Sequence, residues 1–571
     1  MNKRYSWNFG LLNTFEDQLK TVEEKNLAFS TKWKTREDYL SDPKVLSEAI
    51  LEFDDLQKNY GTTGDLGYYW GLRESLDQSD PAIKAQNNKL EEFSVKLYNQ
   101  NQFFLLKLSK VPGNIQKIFL ESDLLIDFRH FLEHLFATGK FTLSDPEEKI
   151  LNLKNNSAHS SWVRMTSQFL SEEKIASKTL EEYSSDLQLP DAKIRENAGL
   201  AINEILGRNA KIAEHELNAI LYDKKINDDL RGVTRPDLMR HLADDIDSEV
   251  VDAMIEAVSS KFSLAHKFYE TKAKFLGMAK LNYWDRNAPI ENTQVNYDFE
   301  TSVNLIANVF GNLDPEFQKI FMDFVDNGQI DVYPKLGKRG GAFCAIERPT
   351  QPTYILLNHT NNLRDVLTLA HEAGHGINNE LMKSQKCALN FGSPLSTAEV
   401  ASTFMEDFVL QSLPKDKTLI MKKLDDDIST IFRQVAAYKF EQELHETFRQ
   451  KNYLSKEEIG EIFTKHMASY MGDFVKQNAG TQNWWVYWSH FRNFFYVYSY
   501  SSGLLISKAM QNKVKQEPKF IEKIKWFLSQ GSSDSPKNLF LSLGIDITDK
   551  DFWLTGISEV EKLYEEVSLL V

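Results

Sequence analysis

Cysteine is scarce: Cys344 and Cys387 are the only two in 571 residues. That excludes a disulfide framework and a thiolate-ligated zinc site, and it fits a reducing compartment. Long apolar runs are missing, so no segment reads as a bilayer-spanning helix. The opening Met1-Asn2-Lys3-Arg4-Tyr5-Ser6-Trp7-Asn8-Phe9 has two basic residues but no apolar stretch behind them, and no signal peptide is expected. Positive charge is in deficit. Against 82 Asp and Glu stand 67 Lys and Arg, a net charge of −15. This disfavours nonspecific binding to nucleic acid or to an anionic membrane, and it attracts cationic peptides. A phosphate-binding loop is absent too, because Gly337-Lys338-Arg339-Gly340-Gly341-Ala342-Phe343-Cys344 leads into no Gly-Lys-Ser/Thr and opens no helix. A cytoplasmic protein is expected.

What is present describes a large globular chain, 42% hydrophobic and 26% charged. To about residue 300 the text is helix after helix. Asp42-Pro43, Asp80-Pro81, Asp145-Pro146 and later Asp314-Pro315 mark helix starts, the aspartate capping free amides and the proline tolerating the first turn. Helices are expected over Pro43 to Asn59, Pro81 to Leu108, Arg195 to Asp223 and Asp247 to Leu281. Breaks at Lys110-Val111-Pro112-Gly113-Asn114 and Leu189-Pro190-Asp191 divide the chain into 1–112, 113–190 and 191–571. The segments share no period, so no repeat array is read. Between 329 and 358 short β-branched runs suggest a small sheet around the glycine turn. The strand after that turn, or Tyr354-Ile355-Leu356-Leu357-Asn358, would expose an edge on which a peptide pairs its backbone.

The chemistry gathers at His371-Glu372-Ala373-Gly374-His375, inside an amphipathic helix over 361–383. Spacing of four puts both imidazoles on one helical face, where they can share a metal ion, with Glu372 beside it as a base for water. A third ligand must come from elsewhere. Asn378 and Leu381 occupy the places where the metzincin pattern needs Gly and His, which excludes that pattern. A carboxylate fits better, and Glu399, in a second helical stretch over 396–406, is the candidate. Glu406, seven residues on and on the same face, would hold a ligand imidazole from behind. Residues 484–503 are densest in aromatics. Trp484, Trp485, Phe494 and Phe495 read as core, whereas His490 and Tyr498, then Tyr496, are candidate neutral donors to a tetrahedral oxyanion.

His371-Glu372-x-x-His375 with Glu399 in Ala-Glu-Val-Ala-Ser, the Gly-Lys-Arg-Gly-Gly-Ala-Phe-Cys loop, and His490 ahead of Phe495-Tyr496-Val497-Tyr498-Ser499-Tyr500 together resemble the oligoendopeptidase F branch of the thimet oligopeptidase family. Arg231-Gly232, Tyr283-Trp284-Asp285-Arg286-Asn287-Ala288-Pro289, Gly531-Ser532-Ser533 and Gly544-Ile545-Asp546-Ile547 extend the resemblance. It implies a mainly α, two-lobed helical ellipsoid with a deep central channel and a small sheet beside the zinc helix. It further implies one Zn2+ per chain on His371, His375 and Glu399, Glu372 as general base, and His490 with Tyr498 as transition-state donors. Gly340, Gly341, Ala342 and Tyr500 are expected to touch substrate, short unstructured peptides cut at internal bonds. Members often carry a tyrosine just after the position of His490; here Phe491-Arg492-Asn493 follow, which leaves the choice among Tyr496, Tyr498 and Tyr500 open. A monomer or weak oligomer is expected, with neither nucleic acid nor membrane as partner. Two rivals stand: a scaffold with a dead site, and a zinc carboxypeptidase or dipeptidyl peptidase in which Arg339 or Arg492 binds a terminal carboxylate.

Overall fold

The computed structural model describes residues 5–15, 17–290, 296–413 and 417–569, without the side chains of 145, 152, 153, 156, 395 and 396. The reading of Met1 to Arg4 lies outside these residues. The fold is mainly α with two small sheets, and no described helix is long and apolar enough to cross a membrane. Two compact units are each assembled from three segments. The first holds Met1–Lys140, Gln294–Leu413 and Lys513–Gly544, and the second Phe141–Thr293, Pro414–Asn512 and Ile545–Val571. This spatial partition differs in kind from the serial one at 112 and 190. The break at 110–114 parts no core, since Val111 packs with Phe104, Phe119, Leu132 and Phe136 in one cluster of the first unit.

In the first unit Asp42, Asp80 and Asp314 cap as expected, accepting from the amides of Lys44 at 2.8 Å, Ala82 at 2.8 Å and Glu316 at 2.7 Å. The second unit departs from that pattern. Asp145 is the first residue of the helix Asp145–Asn155, and the amide of the preceding Ser144 donates to Glu147 at 2.9 Å. The single helix expected from Pro81 to Leu108 is two, Pro81–Asn101 and Phe103–Ser109. At that break the buried Asn101 donates to Asn26 at 2.6 Å, tying the helix end to the helix Gln18–Trp33. Likewise Ser248–Ser260 and Phe262–Phe275 replace one helix over 247–281, parted at Lys261, where φ is −112°.

The three-stranded sheet has Tyr354–Leu356 at its centre, parallel to Ile330–Asp331 and antiparallel to Phe343–Ala345. Tyr354–Leu356 therefore offers no free edge, which corrects one of the two expected peptide-pairing edges. Phe343–Ala345 is an outer strand.

The second unit is built on Ala192–Arg231, a 40-residue helix, longer than the expected Arg195 to Asp223. Asp191 caps it through the amides of Lys193 and Ile194, and Gly232, at φ 72°, ends it in the left-handed conformation. From this helix the buried Arg195 donates to Asp285 at 2.9 Å and to the carbonyls of Leu189 and Pro190. Those bonds lock the Tyr283-Trp284-Asp285 turn against it.

Candidate metal and catalytic centre

The helix Leu363–Met382 begins at a capping box in which Asn362 accepts from the Asp365 amide at 3.2 Å. Its apolar face, Val366, Leu369, Ala370, Ala373 and Ile377, is buried. On its other face His371 and His375 lie with ring centroids 5.0 Å apart. The helix Val400–Ser412 packs directly on it, and Gly374 permits the approach: a Cβ there would stand 2.7 Å from the Ala401 carbonyl oxygen and 2.7 Å from the Ser402 Cα. The expected stretch over 396–406 is two helices, Leu395–Ala398 and Val400–Ser412, and Glu399 sits at their junction. This turns its carboxylate to both histidines, Oε2 lying 3.3 Å from His371 Nε2 and 3.6 Å from His375 Nε2.

One donor atom from each of His371, His375 and Glu399 lies within 4.8 Å of the others, and no further such group of three occurs among the described residues. Two imidazole nitrogens and one carboxylate oxygen, converging at that spacing, fit a divalent ion that keeps an open coordination position. Support comes from behind. Glu406 Oε2 accepts from His371 Nδ1 at 3.0 Å, which fixes the tautomer and leaves the Nε2 lone pair facing inward. Ser402 donates to Glu399 Oε2 at 2.9 Å. Ser402 was not among the sequence candidates, although its place one turn after Glu399 was a readable signal.

The charges follow from this packing. Burial opposes a charge on His371, but hydrogen bonds to Glu399 and Glu406 outweigh it and raise the imidazole to about 10. Burial drives His375 down to about 4. Glu399, despite burial, is held at about 2 by the His371 hydrogen bond and the two imidazoles. A divalent ion would take the place of the proton on His371. Glu372 is buried, which lifts its carboxyl to about 7, with the Cys344 backbone amide as an opposing hydrogen-bond donor. A carboxylate near neutrality can both accept and return a proton at physiological pH.

Gly340 and Gly341 form an exposed turn ahead of Phe343–Ala345, and Ala342 is half-buried. Gly341 has φ 76°, and Asn358 donates to its carbonyl at 2.7 Å and to that of Arg339 at 3.0 Å.

In the second unit His490 lies on the short turn Ser489–Arg492. Its Nε2 is 3.1 Å from the Tyr500 hydroxyl, and the Tyr496 ring is 5.9 Å away. Tyr496 and Tyr500 are half-buried. Tyr498 differs. It is fully buried, and its hydroxyl donates to Asp244 at 2.7 Å, so it is a core residue and the expectation that it serves as an oxyanion donor is corrected. The turn ahead of Tyr498 is strained, with Phe494 at φ 41° and Phe495 at φ 56°. Phe494 is half-buried, unlike Trp484, Trp485 and Phe495. The turn is held by Glu441, which accepts from the Phe495 amide at 2.7 Å and which nothing in the sequence flagged. Arg492 is consumed internally, paired with Glu216 at 2.7 Å and donating to the carbonyls of Trp485 and Trp488. It cannot bind a substrate carboxylate.

Comparison with known proteins gives the family. A profile of Peptidase family M3 matches residues 186–559, and one of Oligopeptidase F matches residues 109–173. The chain belongs to peptidase family M3. It is a peptidase of oligoendopeptidase F type in a metal-dependent family. An oligoendopeptidase F homolog of Borreliella burgdorferi is 25% identical over 598 residues, covering 99% of each chain. A crystal structure from Chlamydophila abortus shares the fold at TM-score 0.86 and 20% identity, covering 100% of this chain and 99% of that one. The oligoendopeptidase-F of Enterococcus faecium does so at TM-score 0.69 and 18% identity, over 97% and 99% of the two chains.

Proposed function

We propose that this M3 peptidase is a zinc-dependent oligoendopeptidase that hydrolyses internal bonds of short unstructured peptides. The observation that carries the reading is the convergence of His371, His375 and Glu399 with Glu372 on the next helical position. Two imidazoles and a carboxylate suit zinc by ligand type and number. When bound, the ion supplies Lewis acidity that polarises the scissile carbonyl and acidifies the attacking water. Glu372 accepts that water's proton on a carboxylate oxygen and hands it to the amide nitrogen as the C–N bond breaks. Glu406 keeps His371 in the tautomer that presents Nε2. His490, with Tyr500 and Tyr496 beside it, is the neutral donor set for the oxyanion, a role carried over from family resemblance. Gly340, Gly341 and Ala342 line the peptide path in this reading. The two free thiols support a reducing, cytoplasmic setting.

The test is hydrolysis of an internally quenched peptide of about ten residues, blocked at both ends, by wild type and Glu372→Gln, with metal content measured in both. The expected result is cleavage by wild type and a loss of at least about 10³-fold in the variant with metal retained. An intact wild type, metal-loaded, that leaves the blocked peptide whole and trims only free termini would replace this reading with the terminal-specific one.

A further inference from the structure

Arg433 closes a single π-helical turn, Ser429–Arg433, set between the helices Lys417–Ile428 and Gln434–Lys451. Isolated π turns are rare and recur at functional sites. The side chain is half-buried, its Nε is sealed from solvent, and its guanidinium makes no hydrogen bond or ion pair among the described residues. Four other arginines of this unit are matched to carboxylates, Arg195 to Asp285, Arg240 to Asp244, Arg449 to Asp228 and Arg492 to Glu216, while the buried Arg286 bonds to the Tyr283 carbonyl and the Tyr470 hydroxyl. In a chain with 82 acidic residues, Arg433 has no carboxylate partner among the described residues. A guanidinium with one N–H shielded and no ion partner keeps its donors available to a ligand.

The surroundings say which ligand. The Arg433 guanidinium stands 6.0 Å from the centroid of the Trp488 ring, a distant contact that does not replace an ion pair. Trp488 is two residues from His490. Burial, then the charge of Arg433, hold the His490 imidazole below its ordinary value, and no carboxylate contributes there. A planar fork of free N–H groups is matched by a carboxylate. The net charge of −15 repels acidic peptides at long range, so a local cation is what admits one.

We propose that Arg433 is the subsite for a carboxylate of the peptide substrate, from its C-terminus or from an acidic side chain, held by the guanidinium fork beside His490. This rests on the reading of His490 as part of the reaction site.

The test uses the full-length, metal-loaded protein and four peptides of one sequence: C-terminal acid or amide, combined with a glutamate or glutamine on the C-terminal side of the cut. Wild type is expected to favour one acid over its neutral counterpart by about 10- to 100-fold in kcat/KM, carried mostly by KM. Amidation erases the preference if the terminus is the ligand, and glutamine erases it if the side chain is. Arg433→Gln collapses the ratio to near one, and Arg433→Lys keeps a part of it, since it retains charge without the fork. Equal kcat/KM for all four peptides in wild type overturns the proposal without any variant, even if Arg433→Gln fails to fold. A uniform loss on every peptide in Arg433→Gln overturns it too, because that signals a structural role. Fluorescence-detected binding of the same peptides to Glu372→Gln protein reads the preference without turnover. A preference there for either acid over its neutral counterpart survives a failure of the proposed base, and the absence of both preferences refutes Arg433 alone.

Discussion

Gly374 lies inside the His-Glu-x-x-His motif, and its lack of a side chain is what lets the helix Val400–Ser412 approach the two histidines. In Gly374→Ala the new Cβ would meet the Ala401 carbonyl oxygen and the Ser402 Cα at 2.7 Å. Both obstacles are backbone, so no rotamer change relieves them. Ordinary van der Waals contact needs about 0.7 Å more, and the helix Val400–Ser412 must move by that much, taking Glu399 with it. Overpacking of this kind costs about 1–3 kcal/mol. Sites of this type tolerate displacements of only about 0.5 Å, so metal affinity should fall at least about 10-fold and kcat/KM by up to about 100-fold. Gly376→Ala is the matched control. Its Cβ would strike the buried Phe324 ring at 2.6 Å, on core packing that does not carry a ligand. Competitive chelator titration and thermal melts of both variants separate the effects. Both should melt below wild type, and only Gly374→Ala should lose metal. If Gly374→Ala held metal as tightly as Gly376→Ala, the argument that this glycine sets the position of Glu399 would be refuted.

Glu406→Ala removes the acceptor on His371 Nδ1 and is expected to weaken metal binding about 10- to 100-fold, read by the same chelator titration. Undiminished affinity would make Glu406 a bystander. Glu441 supplies a pH test: burial, with Asp237 as a further cause, pushes its carboxyl up to about 8. Because the folded value exceeds the unfolded one, the folded chain holds that proton. Stability is then full below the unfolded value near pH 4.5 and is lost as pH rises to about 8, by on the order of 4 kcal/mol. Glu441→Gln keeps an acceptor for the Phe495 amide and removes this titration. The melting temperature of the variant minus that of wild type should grow from pH 5 to pH 8, and a flat difference counts against the assignment.

The motif helix was legible because its signals are local. Asn362 capping, the apolar stripe and the spacing of His371 and His375 all act within a few residues, where backbone geometry alone decides. The helix breaks at Asn101 and Lys261 were not legible, because periodicity continues through them and the breaks answer to packing. Tyr498 shows the limit most clearly. Tyr496, Tyr498 and Tyr500 alternate in the text, and nothing local says that the middle hydroxyl is spent on Asp244, 254 positions away. The edge role expected of Tyr354–Leu356 failed for the same reason, since strand order is a non-local property. By itself, the sequence determined the helical class, the family and the placing of His371 and His375 on one helical face, through residue types at fixed short spacings. Only the tertiary structure decided which tyrosines stay partly open, that Arg492 is paired while Arg433 is not, and how closely Glu399 approaches the histidines. Those depend on which distant side chains pack together, and spacing along the chain carries no information about that.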